Sequence, residues 1–71
     1  MLNQLRDLRL KKKLSQLDVA IKIGKDDMFI SNVENSKVEL KITEAAKLAY
    51  IYDVNLDDIF LASQNKTNFN K

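Results

Sequence analysis

The stretch that decides the fold runs from Ser15 to Glu34 and reads SQLDVAIKIGKDDMFISNVE. It contains Gly24, the only glycine among the 71 residues. Apolar residues recur at three- and four-residue spacing on both sides of this glycine, as on the buried face of a helix. Glycine readily adopts the left-handed conformation that ends a helix. The pattern therefore predicts one helix over about 16–23, a turn at Gly24, and a second helix that ends near residue 34.

Polar residues mark where these two helices begin. Ser15 is a natural N-cap, because its hydroxyl can accept from free backbone N–H groups, and Asp18 adds negative charge near that end. Asp26 caps the second helix, and this role explains its residue type better than a ligand contact does. Two short helices in this arrangement are typical of a helix-turn-helix, whose second helix enters a DNA major groove.

Three further helices complete the prediction, and no stretch alternates as a half-buried strand does. The first covers about residues 2–12, the fourth begins near Ile42 or Thr43, and Asn55 caps the fifth with Asp58 three residues on. Inward-facing anchors are predicted at Leu2, Leu5, Leu8, Ile30, Val33, Ala45 or Ala46, Leu48, Ala49, Tyr52, Leu56, Ile59 and Phe60, and Leu10 lies near the edge of the face that Leu2, Leu5 and Leu8 share. The fold class is therefore all-α, with one domain over 1–62 and a polar, flexible tail over 63–71.

Composition excludes several classes of protein. The chain has neither cysteine nor histidine, which removes disulfides, the usual zinc ligands and the usual catalytic bases. We expect no enzyme, no metal and no cofactor, and the length leaves no room for a domain that binds a small-molecule ligand. No apolar run approaches the roughly 18 residues that span a bilayer. Charges at Arg6, Asp7 and Arg9 interrupt any signal-peptide pattern, so we expect a cytoplasmic protein without a membrane partner.

The net charge of +2 is unevenly distributed. Five basic residues lie within residues 1–13, and Lys11, Lys12 and Lys13 are consecutive. Such a cluster is typical of a solvated helix end, and it strengthens long-range attraction to phosphates.

Several short motifs occur in an order and spacing that are specific in combination. They are LRDLR at 5–9, LSQ at 14–16, VA at 19–20, IG at 23–24, ISxVENxK at 30–37, KLA at 47–49 and VxLDDIF at 54–60. Over about residues 2–61 the chain thus resembles the XRE-type helix-turn-helix family, which includes the phage Cro and repressor proteins. The resemblance implies a compact five-helix, lambda-repressor-like domain from a prokaryote, a phage or a mobile element.

The resemblance also implies roles for individual residues. Arg9 is expected to pair with Glu34 as a structural salt bridge. Gln16, Asn35 and Lys37 match family positions that contact DNA phosphates, and Ser15 joins them at the amino terminus of its helix, where free N–H groups favour an anion.

Base contacts are expected from the exposed face of the recognition helix, which carries Asp27, Met28, Ser31 and Asn32. Asp27 can accept from a cytosine amino group, Met28 can pack on a thymine methyl group, and Asn32 can bond adenine at two points. Each good contact discriminates between bases by about 1–3 kcal/mol.

The chain departs from the family pattern at three places. Lys25-Asp26-Asp27 stands where the family usually has Val-Ser-Arg or Val-Ser-Gln, Ser36 precedes Lys37 in place of glycine, and Leu40 replaces a proline. The carboxylate of Asp27 is repelled by phosphates. One alternative is therefore a protein-interaction module of the same fold that has lost DNA binding.

Some apolar residues remain after the core is assigned, which indicates an interface. They are Leu10, Ile21, Ile51, Leu61 and Phe69. Proteins that this chain resembles commonly dimerise through the fifth helix and the segment that follows it, so we expect a homodimer on palindromic double-stranded DNA, with half-sites about 34 Å apart. The leading hypothesis is a transcriptional repressor. An antitoxin or a restriction controller of the same family is a second alternative, which a neighbouring toxin or endonuclease gene would favour.

Overall fold

The computed structural model describes residues 3–64, and in that range it contains five α-helices and no strand. The helices are α1 (Leu5–Lys11), α2 (Gln16–Ile23), α3 (Asp27–Glu34), α4 (Ile42–Tyr52) and α5 (Leu56–Ala62). The predicted all-α, five-helix architecture is confirmed. Leu2 and most of the predicted tail, from residue 65 on, lie outside the described residues.

The caps of α2 and α3 explain where these helices begin and end. The hydroxyl of Ser15 accepts from the backbone N–H of Asp18 at 3.0 Å, and the Asp18 carboxylate accepts from the N–H of Ser15 at 2.8 Å. Asp26 accepts from the N–H of Phe29 at 2.9 Å. Gly24 ends α2 with a φ of 75°. The helices begin and end where predicted, and each cap rests on contacts that span no more than three or four residues.

Helix α1 begins three residues later than predicted. Gln4 is the N-cap and makes no side-chain cap hydrogen bond, while the side chain of Asn3 accepts from the N–H of Leu5, the first residue of the helix, at 3.0 Å. The backbone N–H groups of Asn3 and Gln4 donate instead to the carbonyls of Glu34 and Ala62, at 2.7 and 3.0 Å. The segment before α1 therefore joins the ends of α3 and α5 rather than extending α1.

All five helices contribute to one core. Its buried apolar residues are Leu5, Val19, Ala20, Ile23, Ile30, Val33, Ala45, Leu48, Ala49, Tyr52, Ile59 and Ala62. Ile30 and Val33 are each 2% exposed, which confirms that this face of α3 points inward. Of the two alanines considered for α4, Ala45 is buried and Ala46 is exposed.

Two assignments of apolar residues were wrong. Leu56 was predicted as an anchor of α5, but it is 36% exposed, because it lies in the first turn, beyond the inward row of Ile59 and Ala62. Ile51 was left outside the core, but it packs against the core, one helical turn after Leu48. The spacing within one helix does not show which of its side chains a neighbouring helix covers. That coverage decides that Leu56 is exposed and that Ile51 packs against the core.

Candidate nucleic-acid interface

Helices α2 and α3 pack against each other and leave one face of α3 open to solvent. Asp27 is exposed and Met28 is 63% exposed, whereas Ser31 and Asn32 are half-buried. Phe29 is half-buried and packs against the core, as expected of a residue that does not face DNA. The structure therefore brings the four predicted base-contacting residues to the side of α3 away from Ile30 and Val33.

A buried ion pair anchors the carboxyl end of α3 to α1. Arg9 Nε lies 2.6 Å from Glu34 Oε2, and a second guanidinium nitrogen lies 3.1 Å from Oε1. The remaining guanidinium nitrogen donates to the carbonyl of Leu14 at 2.9 Å. The hydrogen bond with Glu34 raises the pKa of Arg9. This two-bonded arrangement holds both planes in one orientation, so it fixes how α3 lies on α1.

Tyr52 lies close to this ion pair in the core and is 4% exposed. Burial is the main cause that raises the pKa of Tyr52 above its usual value, and the negative charge of Glu34 adds to it. The phenol of Tyr52 is therefore neutral in the folded domain at neutral pH.

Gln16 links the predicted phosphate contacts to the same ion pair. Its side-chain amide donates to Glu34 Oε1 at 3.3 Å, and the residue is half-buried. This contact orients Gln16 on the first turn of α2. The other predicted contact on that helix, Ser15, is exposed, but its hydroxyl accepts from Asp18. Hydrogen bonds from Ser15 lower the pKa of Asp18, so a carboxylate lies beside this helix end.

The turn after α3 carries the other two predicted phosphate contacts. Asn35 is half-buried, and its side-chain amide donates to the carbonyl of Ser31 at 2.9 Å. Lys37 is exposed, and its backbone N–H donates to the carbonyl of Asn32 at 2.8 Å. The backbone of this turn is thus hydrogen-bonded to the last turn of α3, while the ammonium group of Lys37 remains accessible.

Comparison with known proteins places this geometry in a family. A family model described as Helix-turn-helix matches residues 5–59, which include all or most of every helix. The chain belongs to the XRE-type helix-turn-helix family. No curated protein and no solved structure matches it. The family model describes a DNA-binding domain of regulators rather than an enzyme.

A departure from the family pattern gives this helix-turn-helix protein a contact that sequence reasoning missed. Lys25 Nζ lies 3.4 Å from Glu44 Oε2 and 5.1 Å from the centre of the Phe29 ring. Glu44 also accepts from the backbone N–H of Lys41 at 2.9 Å, and this hydrogen bond is the main cause that lowers the pKa of Glu44. Lys25 therefore connects the turn between α2 and α3 to the start of α4. The only signal in the sequence was a basic residue where the family usually has valine.

Two further findings concern what the described part of this helix-turn-helix protein lacks. Among residues 3–64, no helix is long and apolar enough to cross a membrane. The same residues include no cluster of three or more acidic side chains that could hold a metal ion.

Proposed function

We propose that this helix-turn-helix protein is a sequence-specific transcriptional repressor that binds a palindromic operator as a homodimer, with α3 in the major groove. The observation that supports it best is the solvent-facing side of α3 opposite Ile30 and Val33, on a helix anchored by the Arg9–Glu34 pair. A helix held rigidly on a small domain is what base reading requires. Such a protein acts in the cytoplasm of a prokaryotic cell, and its gene belongs to the cell itself, to a phage or to a mobile element.

On this proposal, base contacts come from the exposed side of α3. Asp27, Met28, Ser31 and Asn32 lie there, and each offers a different chemistry to a base edge. Phosphate contacts come from Ser15 and Gln16 at one end of the motif and from Asn35 and Lys37 at the other. Phosphate contacts set the register of the protein on the duplex, and base contacts set its sequence preference.

The homodimer in this proposal forms through α5 and the adjacent face of α1. A shallow groove between these helices is lined by the apolar residues Leu8, Val54, Leu61 and Ala62 and by the polar residues Gln4, Asp7, Lys11 and Asp58. Leu61 is 65% exposed at its edge, and Leu10 on α1 is 45% exposed. Ile21, 68% exposed on α2, is a further apolar residue open to contact, and Phe69 lies outside the described residues. A second copy on the α1 and α5 face would remove the apolar surface of the groove and of Leu61 from water.

Selection of bound sites from random duplex DNA tests the proposal most directly. We expect a palindromic motif, with affinity that falls steeply as salt rises, because several phosphate contacts release counterions.

Asn32→Ala should relax the preference at one base position in each half-site. Lys37→Ala should weaken all sites alike and reduce the salt slope by about one unit.

Lys47, on the exposed side of α4, provides the matched control for Lys37. Lys47→Ala removes the same charge from a residue outside the proposed DNA contacts. The salt slope of this variant should therefore stay nearer that of the wild type. An unchanged selected motif for Asn32→Ala would contradict the assignment of base contacts.

A second candidate function is a protein-interaction module without DNA binding. The exposed carboxylate of Asp27 favours it, as does that of Asp18 beside Ser15, since both lie near the surfaces that would meet phosphates. Absence of measurable binding to mixed-sequence duplex DNA at low salt would select this candidate over the repressor.

A further inference from the structure

Asn3 is a buried polar residue to which neither the family motif nor the proposed DNA contacts give a role. It is 5% exposed, and its side-chain amide nitrogen lies within hydrogen-bond distance of three oxygens from three parts of the chain. These are the carbonyl of Val33 at 2.7 Å, the hydroxyl of Ser36 at 3.2 Å and the carbonyl of Ser63 at 3.2 Å. One side chain therefore connects the ends of α3 and α5 to the turn that follows α3.

Ser36 shows why this connection matters for the turn. Its φ is 60°, a left-handed conformation that residues with a Cβ other than Asn and Asp seldom adopt. The family pattern has glycine here, for which the conformation carries no steric cost. The hydroxyl of Ser36 lies between Asn3 and the carbonyl of Ser63, to which it donates at 3.4 Å. The side chain that makes the backbone conformation unfavourable is thus also held by hydrogen bonds.

The position of Ser36 places it between two candidate phosphate contacts, Asn35 and Lys37. Its left-handed conformation turns the chain so that the N–H of Lys37 reaches the carbonyl of Asn32 at 2.8 Å. The N–H of Ser36 itself donates to the carbonyl of Val33 at 3.1 Å, the same carbonyl that accepts from Asn3. A change in the backbone at Ser36 would therefore move Lys37 relative to the recognition helix.

We propose that Asn3 and Ser36 form a positioning pair that sets the path of this turn and so directs Asn35 and Lys37 at DNA phosphates. The inference rests on the proposed DNA-binding function. It assigns to Asn3 an indirect role, since Asn3 is buried and its side-chain amide donates to other parts of the chain. It also accounts for a serine at a position where the family has glycine.

A double-mutant cycle on the full chain tests the pair. The variants are Asn3→Ala, Ser36→Gly and their combination, and the probe is a fluorescently labelled duplex of mixed sequence at low salt. Affinities are compared at a temperature at which circular dichroism shows every variant to be folded. We expect Asn3→Ala to weaken binding about tenfold, as loss of a buried hydrogen-bond donor propagates to the turn.

Ser36→Gly should keep most of the wild-type affinity, because glycine adopts the same conformation without needing the hydroxyl. In the Ser36→Gly background, Asn3→Ala should then cost much less than it does alone. Ala46→Gly is the matched control, since it destabilises the exposed middle of α4 without contact with the turn, and it should bind as the wild type does.

Asn3→Asp adds a readout that a loss of stability alone would not move. The carboxylate still accepts from Leu5 but faces the carbonyls of Val33 and Ser63 without a donor. The DNA affinity of Asn3→Asp relative to the wild type should rise as the pH falls, because the protonated side chain regains one hydrogen-bond donor. The DNA affinity of Asn3→Ala relative to the wild type should not change with pH.

Equal affinity of folded Asn3→Ala and wild type would overturn the inference, and so would additive effects of the two substitutions. In either case the wild type would still bind, so the proposed function would stand. A wild type that does not bind duplex DNA would overturn both.

Discussion

Arg9 and Glu34 place two opposite charges inside an apolar core, at a cost that only good geometry can offset. Removing each charge from water costs several kcal/mol. The guanidinium offsets this by two hydrogen bonds to the carboxylate and a third to the carbonyl of Leu14. The pair orients two helices in return, and the exposed side of α3 depends on that orientation. A single residue change here should therefore affect the whole domain.

Arg9→Met is expected to lower the free energy of unfolding by about 3–5 kcal/mol, because it leaves the Glu34 carboxylate buried without its partner. Arg9→Met combined with Glu34→Leu should recover most of this loss, since neither charge remains. Arg6→Met, at an exposed position of the same helix, is the control and should be nearly neutral. Urea unfolding measures all three, and a double variant no more stable than Arg9→Met would contradict the account.

Burial of the Tyr52 phenol should make the free energy of unfolding depend on pH in the alkaline range. The unfolded chain loses the phenol proton near pH 10.0, whereas burial keeps that proton on the folded protein at higher pH. Above pH 10.0 the unfolded state therefore binds fewer protons than the folded state. The contribution of Tyr52 to the free energy of unfolding is fully present below that pH and falls as the pH rises above it. Tyr52→Phe should reduce this fall in urea unfolding between about pH 8 and 11.

Tyr50 provides the matched control, because it lies on the same helix and is 89% exposed. Tyr50→Phe should keep the alkaline fall of the wild type. Identical alkaline slopes for Tyr52→Phe and the wild type would show that burial of this phenol does not contribute.

Helices α2 and α3 illustrate how much of this fold can be predicted one element at a time. Ser15, Gly24 and Asp26 mark their ends through contacts that span no more than three or four residues. The start of α1 was predicted three residues too early, because the backbone N–H groups of Asn3 and Gln4 are held by carbonyls of α3 and α5, far away in sequence. Local chemistry sets an element's bounds only where its cap partners are local too.

Gly24 is expected to tolerate substitution according to backbone conformation rather than space. Its φ is 75°, and a Cβ added there would meet nothing within 4 Å. Gly24→Ala should therefore cost about 1–2 kcal/mol from the left-handed conformation alone. Gly24→Asn should cost less, because asparagine adopts this conformation more readily. Thermal unfolding measures the difference, and equal losses for the two variants would argue against a conformational cause.

The whole molecule buries its core through all five helices and leaves apolar residues at its edges. Leu61, at the rim of the groove between α1 and α5, is the most informative of these, because the proposed homodimer covers it. A charge at that position would have to be removed from water when the proposed dimer forms. On this proposal, the oligomeric state depends on a face that α1 and α5 form together.

If the proposed homodimer forms through this face, Leu61→Glu should convert it to a monomer in sedimentation equilibrium and weaken binding to a palindromic site more than to a half-site. Tyr50→Glu, a charge at an exposed aromatic residue of α4, should leave the dimer intact. A Leu61→Glu variant that still sediments as a dimer would place the interface elsewhere.

The amino-acid sequence by itself determined the five helices, the turn at Gly24, the inward row of Ile30 and Val33, and the family. Periodicity and capping act over a few residues, so they can be read along the chain. Only the tertiary structure decided that Leu56 is exposed, that Ile51 packs on the core, that Lys25 reaches Glu44, and that Asn3 joins three segments. Those outcomes depend on which distant residues meet, and the spacing of a single helix contains no information about its neighbours.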